Sequence, residues 1–227
     1  MTDQLCNILQ TYLQSSLSAV DAAKQLRDTV EADEAVEDAA YALFNLVADQ
    51  VRALTPDASQ HEHLVSLLVA LKSAETSARD WSELVPLGMV IRELWNISGP
   101  EKEDWPAINA FAARLAAGRV LDLDTFGIWT MRAALEGNTE TTDREVAAAL
   151  QWIRYAGSHM KKLSMEGTEA TTATKGGPRW SGQGGYNKER WAFWSQRLTE
   201  VAAEGSATDT ASQKAAVEAV KEILKLN

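Results

Sequence analysis

The sequence predicts an all-α fold, on three grounds. Apolar residues recur at spacings of three and four along nearly the whole chain, no run alternates in the two-residue rhythm of a strand, and prolines, glycines and capping residues fall where the helical runs stop and start. The 227 residues suit one large domain or two small ones, and the run of helices joined by short loops implies one. It is read here as a bundle of about nine helices packed as hairpins, interrupted by one long Gly-rich loop at 164–186.

Each element has a local justification. Leu5, Ile8, Leu9, Tyr12 and Leu13 share one face of a first helix, and a second starts near Ser18. A third, from about Asp33 to Leu54, aligns Val36, Ala40, Leu43, Phe44 and Val47 and stops at Thr55-Pro56, because proline cannot continue the hydrogen-bond ladder. Asp57 or Ser59 opens the helix of Leu64, Leu67, Leu68 and Leu71. Pro86 and Pro106 are start signals, since proline is tolerated in a first helical turn. The helix from Pro86 ends near Trp95; the one opened by Asp104-Trp105-Pro106 ends at Gly118. Asp122 or Asp124 caps the next, which runs to about Glu136 and is stopped by Gly137-Asn138. Thr142 or Asp143 caps a long helix from about Arg144 to Leu163, Asn187 caps another through Ala203, and Thr208 or Asp209 begins the last, ending near Leu226.

Composition excludes several functions. Net charge is −10, with residues 1–113 at −11 and the remainder at +1, so the chain as a whole repels a phosphate backbone and nucleic-acid binding is not expected. The longest apolar run, Leu64–Leu71, is far too short to cross a membrane. A single cysteine, Cys6, rules out an intramolecular disulfide and any Cys-rich metal site. With no signal-peptide pattern at the start, it points to a reducing, cytoplasmic setting. His61-Glu62-His63 places its histidines on opposite sides of a helix rather than at the four-residue spacing of a zinc site, and the glycines of 176–185 lack the Gly-Lys-Ser/Thr of a phosphate loop. No metal and no cofactor is expected.

The residues that can carry chemistry gather late in the chain. The long helix is apolar on two faces, one of them bearing Trp152, Tyr155, His159 and Leu163. A histidine there can move a proton, or can simply be satisfied structurally near the helix end. After the loop come Arg179, Trp180, Tyr186, Arg190, Trp191 and Trp194, and residues 154–197 are locally +5. Indoles beside guanidinium groups can stack a planar ligand and hold its anionic group; they can equally be core anchors with cations at the rim. A loop of this length and glycine content is commonly a lid, a binding loop or a mobile excursion, and Trp180 and Tyr186 favour docking.

Trp105-Pro106-Ala107-Ile108-Asn109-Ala110-Phe111-Ala112-Ala113-Arg114-Leu115 and Arg190-Trp191-Ala192-Phe193-Trp194, with Gly177-Pro178-Arg179-Trp180 and Gly185-Tyr186 between them, resemble a filamentous-fungal family of helical proteins classed only as a domain of unknown function. The resemblance covers most of the chain. It implies a fungal, intracellular setting, with placement beside biosynthetic genes, and brings no active site with it. It draws notice to Asn109, whose amide on an Ala-rich helix needs partners from the protein or from a ligand.

Two functions remain open. In the first, the protein binds a small molecule, apolar or aromatic with an anionic group, and acts as a cofactor-independent cyclase, isomerase or lyase. Its pocket is lined by Trp152, Tyr155, Trp180, Trp191 and Trp194, with Asn109 as a further contact; His159, Tyr155 or Tyr186 moves the proton; and Arg154, Arg179 or Arg190 holds the oxyanion. In the second, an exposed apolar patch and the acidic first half make a non-catalytic interaction module.

Overall fold

The computed structural model describes residues 1–73, 79–137, 142–203 and 211–226, and these hold ten helices, one more than the count of about nine. They are α1 (Thr2–Leu13), α2 (Ala19–Glu31), α3 (Val36–Ala53), α4 (Gln60–Lys72), α5 (Val85–Ser98), α6 (Trp105–Ala117), α7 (Asp124–Leu135), α8 (Asp143–Glu166), α9 (Lys188–Ala203) and α10 (Ala211–Lys225). The chain is an all-α domain, with buried apolar side chains from Leu5 to Ile223 in one continuous core.

The start signals act through identifiable hydrogen bonds. Ser18 accepts the amide of Asp21, and Asn187 accepts that of Arg190. Thr142 and Glu145 form a reciprocal capping box at the head of α8. Pro86 and Pro106 each sit in a first turn. The start of α7 differs: Leu123 takes the cap position without a side-chain bond, and Asp124 is already the first helical residue. Asn138, Thr208 and Asp209 lie outside the described residues.

Hairpin packing describes only part of the bundle. Consecutive helices pair in α1/α2, α7/α8 and α9/α10, but α2/α4, α3/α5, α6/α8 and α8/α10 each pack against the element after next. The reason lies in α6 and α8. Alanines at 107, 110, 112, 113 and 116 let neighbours approach α6 closely, and α8 buries Val146, Trp152, Ile153 and Met160 on two sides, as its double apolar face requires. These two helices form the centre around which the second half is built.

Gly127 on α7 marks a close helix approach in that half. A Cβ there would lie 2.5 Å from the Tyr186 hydroxyl and 3.0 Å from two ring carbons of Trp152, both side chains being buried. Gly127→Ala is therefore expected to destabilise the protein by about 1–3 kcal/mol through overpacking, although alanine is the better helix former. Urea unfolding measures this, and a variant as stable as the parent contradicts it. Among the described residues, no helix is long and apolar enough to cross a membrane.

Candidate functional site

The late cluster of aromatics and cations folds inward. Arg190 is 0% exposed and grips the equally buried Glu136, its Nε donating to Oε1 at 2.8 Å and a terminal nitrogen to Oε2 at 3.1 Å. Its other donors reach the carbonyls of Thr174, Lys175 and Gly185. Glu136 also accepts the Trp194 indole at 2.7 Å and the Gly177 amide at 2.6 Å. Arg190 and Trp194 are thus removed from the set of ligand contacts, because their polar atoms are spent on the fold.

What they organise is the Gly-rich segment 167–187 between α8 and α9. Its ends are stapled where the Thr168 amide donates to the Tyr186 carbonyl and the Tyr186 amide to the Thr168 hydroxyl. Its middle closes over the Glu136–Arg190 pair, so it is a docked loop and not an open lid. Trp180 packs on Phe193 and donates to Gln183 within the same region. The Arg179 side chain is exposed, its backbone amide bound to the Glu136 carbonyl. Trp191 is in the core.

Asn109 and Trp152 are also committed to structure. The Asn109 carbonyl oxygen accepts from the Trp152 indole at 2.9 Å and the Thr130 hydroxyl at 2.8 Å, and its amide donates to the Trp105 carbonyl. This joins α6, α7 and α8, engages the Asn109 oxygen fully and leaves the side chain 0% exposed, away from any open cleft. Tyr155 lies under Arg114, whose guanidinium carbon is 3.3 Å from the ring centroid, while Arg154 is exposed. Arg114 also pairs with Glu62, beside His61, whose pKa is lowered to about 4 by burial and then by the Arg114 charge. His61 is accordingly neutral, donating Nε2–H to the Thr55 carbonyl.

His159 stands apart from these packed groups. Its Nε2 lies 2.7 Å from Oδ1 of Asp124, a carboxylate partner that local sequence does not reveal, being 35 residues away. The nitrogen facing a carboxylate keeps its proton, so in the neutral ring Nδ1 carries the lone pair. That Nδ1 has no partner among the described residues, and it is not one of the buried unpaired atoms, so it is open to solvent. Asp124 sits at the N-terminus of α7, where the helix dipole favours a carboxylate. Tyr186 supports it from behind, donating its hydroxyl to the Asp124 backbone carbonyl at 2.9 Å. Burial, and then the Asp124 charge, raise the Tyr186 phenol well above its usual range, so it stays a donor and positions Asp124 rather than exchanging protons itself.

Both members of the pair line a cleft of about 470 Å³ where α6 ends and α7 begins, against the later part of α8. Lys72 and Arg119 bring positive charge to it, Glu83 and Asp122 bring negative charge, and Val120, Leu121 and Leu163 contribute apolar surface. Lys72 spends one donor on the Val120 carbonyl. Of the candidate site residues the sequence singled out, only His159 lines this cleft; Asp124 was read there as a helix cap, and Lys72 and Arg119 carried no local signal.

Arg119 carries a further mark. Helix α6 ends in a Schellman turn, the Val120 amide donating to the Leu115 carbonyl and the Arg119 amide to that of Ala116. The left-handed position of such a turn usually holds glycine. Here Gly118 sits one residue early and Arg119 takes the position at φ +53°. Backbone strain of this kind gathers at functional sites.

A family model described as "Protein of unknown function (DUF3632)" matches residues 41–198, a range that contains every residue of this cleft. No curated protein and no solved structure matches the chain.

Proposed function

This chain belongs to the DUF3632 family, and we propose that it is a small-molecule-binding protein whose cleft performs cofactor-independent proton transfer, in the manner of an isomerase, cyclase or lyase. The observation that carries the reading is the His159–Asp124 pair, with an Nδ1 unpaired among the described residues, in the wall of a cleft that also holds two cations. In the mechanism, Asp124 orients the imidazole, Nδ1 takes a proton from the bound molecule, and the ring returns it at a second carbon or to a leaving group. Lys72 and Arg119 hold the anionic group and stabilise negative charge as the proton leaves. A free Cys6 fits the cytoplasmic setting this assignment supposes.

The alternative interaction module has less support. It needs a contiguous exposed apolar patch. The large exposed apolar side chains among the described residues are instead spread over five helices and the N-terminus, α5 carrying Val85, Met89 and Ile97.

Native mass spectrometry of the purified protein, after exposure to a small-molecule extract of its source, tests the proposal through Arg119. Arg119→Gly relieves the left-handed strain and is expected to raise stability by about 1 kcal/mol, while cutting retention of the bound compound. Retention of no compound, or equal retention by the parent and this variant, overturns the reading.

A further inference from the structure

A second cleft, of about 410 Å³, opens where the end of α5 and the start of α6 meet α7 and the head of α8. Three of the eight tryptophans line it, Trp95, Trp105 and Trp129, none of which belongs to the late aromatic cluster. With Phe126 they form a continuous array. Trp95 meets Trp105 at 4.5 Å and 66° and Phe126 at 4.7 Å and 85°, and Phe126 meets Trp129 at 4.9 Å and 42°. Edge-to-face contacts use the edge of one ring against the face of the next, so indole surface remains to stack a flat partner. Trp95 and Trp129 are only half-buried.

We propose that this cleft binds a planar aromatic acid. Its ring stacks on Trp95 and Trp129, and its carboxylate or phenolate is held by Arg132 together with the indole N–H groups of Trp95 and Trp105. The polar groups decide the sign of the ligand. Neither of those two indoles has a hydrogen-bond partner among the described residues. Arg132 spends one terminal nitrogen on the Lys175 carbonyl at 3.2 Å and keeps its other donors. The acceptors are partly engaged: Oε2 of Glu145 serves the capping box with Thr142, which ties that carboxylate to the head of α8 and leaves only its Oε1, and the Thr130 hydroxyl donates within the Asn109 network. A guanidinium and two indole N–H groups with donors to spare suit an acceptor-bearing anion, whereas an ammonium ion, although aromatic faces attract it, would leave those donors unmet and lie beside the Arg132 charge.

The walls are also fixed in advance. The Trp129 indole donates to the Ala173 carbonyl at 2.8 Å, and Arg132 to that of Lys175, both in the docked loop whose position the Glu136–Arg190 pair sets. Binding therefore orders little that is not already ordered. The Gly-rich loop serves an aromatic pocket after all, from behind and through its backbone.

The probe is 2-naphthoate, followed by the indole N–H signals of the full chain in two-dimensional NMR, with 2-naphthamide and a naphthyl trimethylammonium salt as comparison ligands. Saturable shifts of the Trp95 and Trp105 signals are expected with naphthoate, and weaker ones with the amide and with the ammonium salt. Trp95→Leu should lower affinity about ten-fold, and Arg132→Gln should abolish the preference for the acid over the amide. Should Trp95→Leu fail to fold, the signal shifts and Arg132→Gln decide alone. Absence of saturable shifts at these two signals, or tighter binding of the ammonium salt, overturns the proposal. His159→Asn should leave naphthoate binding unchanged; loss of binding in that variant would place the probe in the His159 cleft and overturn this assignment while sparing the other.

Discussion

Replacing Arg190 by alanine is expected to cost about 3–5 kcal/mol of folding stability, the loss typical when one partner of a buried ion pair is removed. The substitution strands the Glu136 carboxylate at 0% exposure with no counter-charge. It also removes a donor from the Thr174, Lys175 and Gly185 carbonyls; Thr174 keeps the Gly185 amide and Lys175 keeps Arg132, so the Gly185 carbonyl is the one left without a partner among the described residues. The Trp194 indole and Gly177 amide still reach Glu136, but two neutral donors do not neutralise a buried charge. Urea denaturation followed by circular dichroism measures the loss. The double variant Glu136→Leu/Arg190→Met should lose less than Arg190→Met alone, because removing both charges leaves none unpaired. An Arg190→Ala protein within about 1 kcal/mol of the parent would mean that the pair is not the loop's anchor.

The same pair explains what could be read in the sequence and what could not. Helix starts are local events, written in the few residues that make their bonds. Ser18, Thr142 and Asn187 were therefore legible, and so was the double apolar face of α8. The segment after α8 was legible only as composition. Six glycines between 167 and 185 read as freedom, yet the folding of that segment is decided by Glu136 and Arg190, one on each side of it and 54 residues apart. Nothing in the spacing marks such a contact. His159 was visible because helical periodicity placed it beside aromatic residues. Its partner Asp124 was visible only as a helix start, since pairing across 35 residues depends on how α7 and α8 pack. The tryptophans at helical spacing, Trp191 and Trp194, followed the commoner rule and entered the core. Trp95, Trp105 and Trp129 sit on three different helices, and only the tertiary fold brings them to one cleft.

His159→Asn is the second substitution with a large expected effect, and it acts on chemistry rather than on folding. A positioned general base contributes about 10²–10⁴-fold to a proton transfer, so conversion of the retained compound should fall by that factor. Stability should change little. The pair is partly exposed, at 15% and 33% of its two side chains, and such pairs contribute about 1 kcal/mol or less. The two readings of this histidine thus separate on orthogonal axes. A structural pair predicts a modest loss in unfolding free energy with turnover unchanged, whereas an acid–base pair predicts the reverse. Asp124→Asn sharpens the distinction. An amide oxygen can still accept the Nε2 proton and keep the ring in place, but it no longer balances the imidazolium that forms when Nδ1 takes a proton. That variant should retain the compound as the parent does and turn it over more slowly, between the parent and His159→Asn. Unchanged turnover in both variants would leave Asp124 and His159 as a surface ion pair, and the cleft would then bind without catalysing.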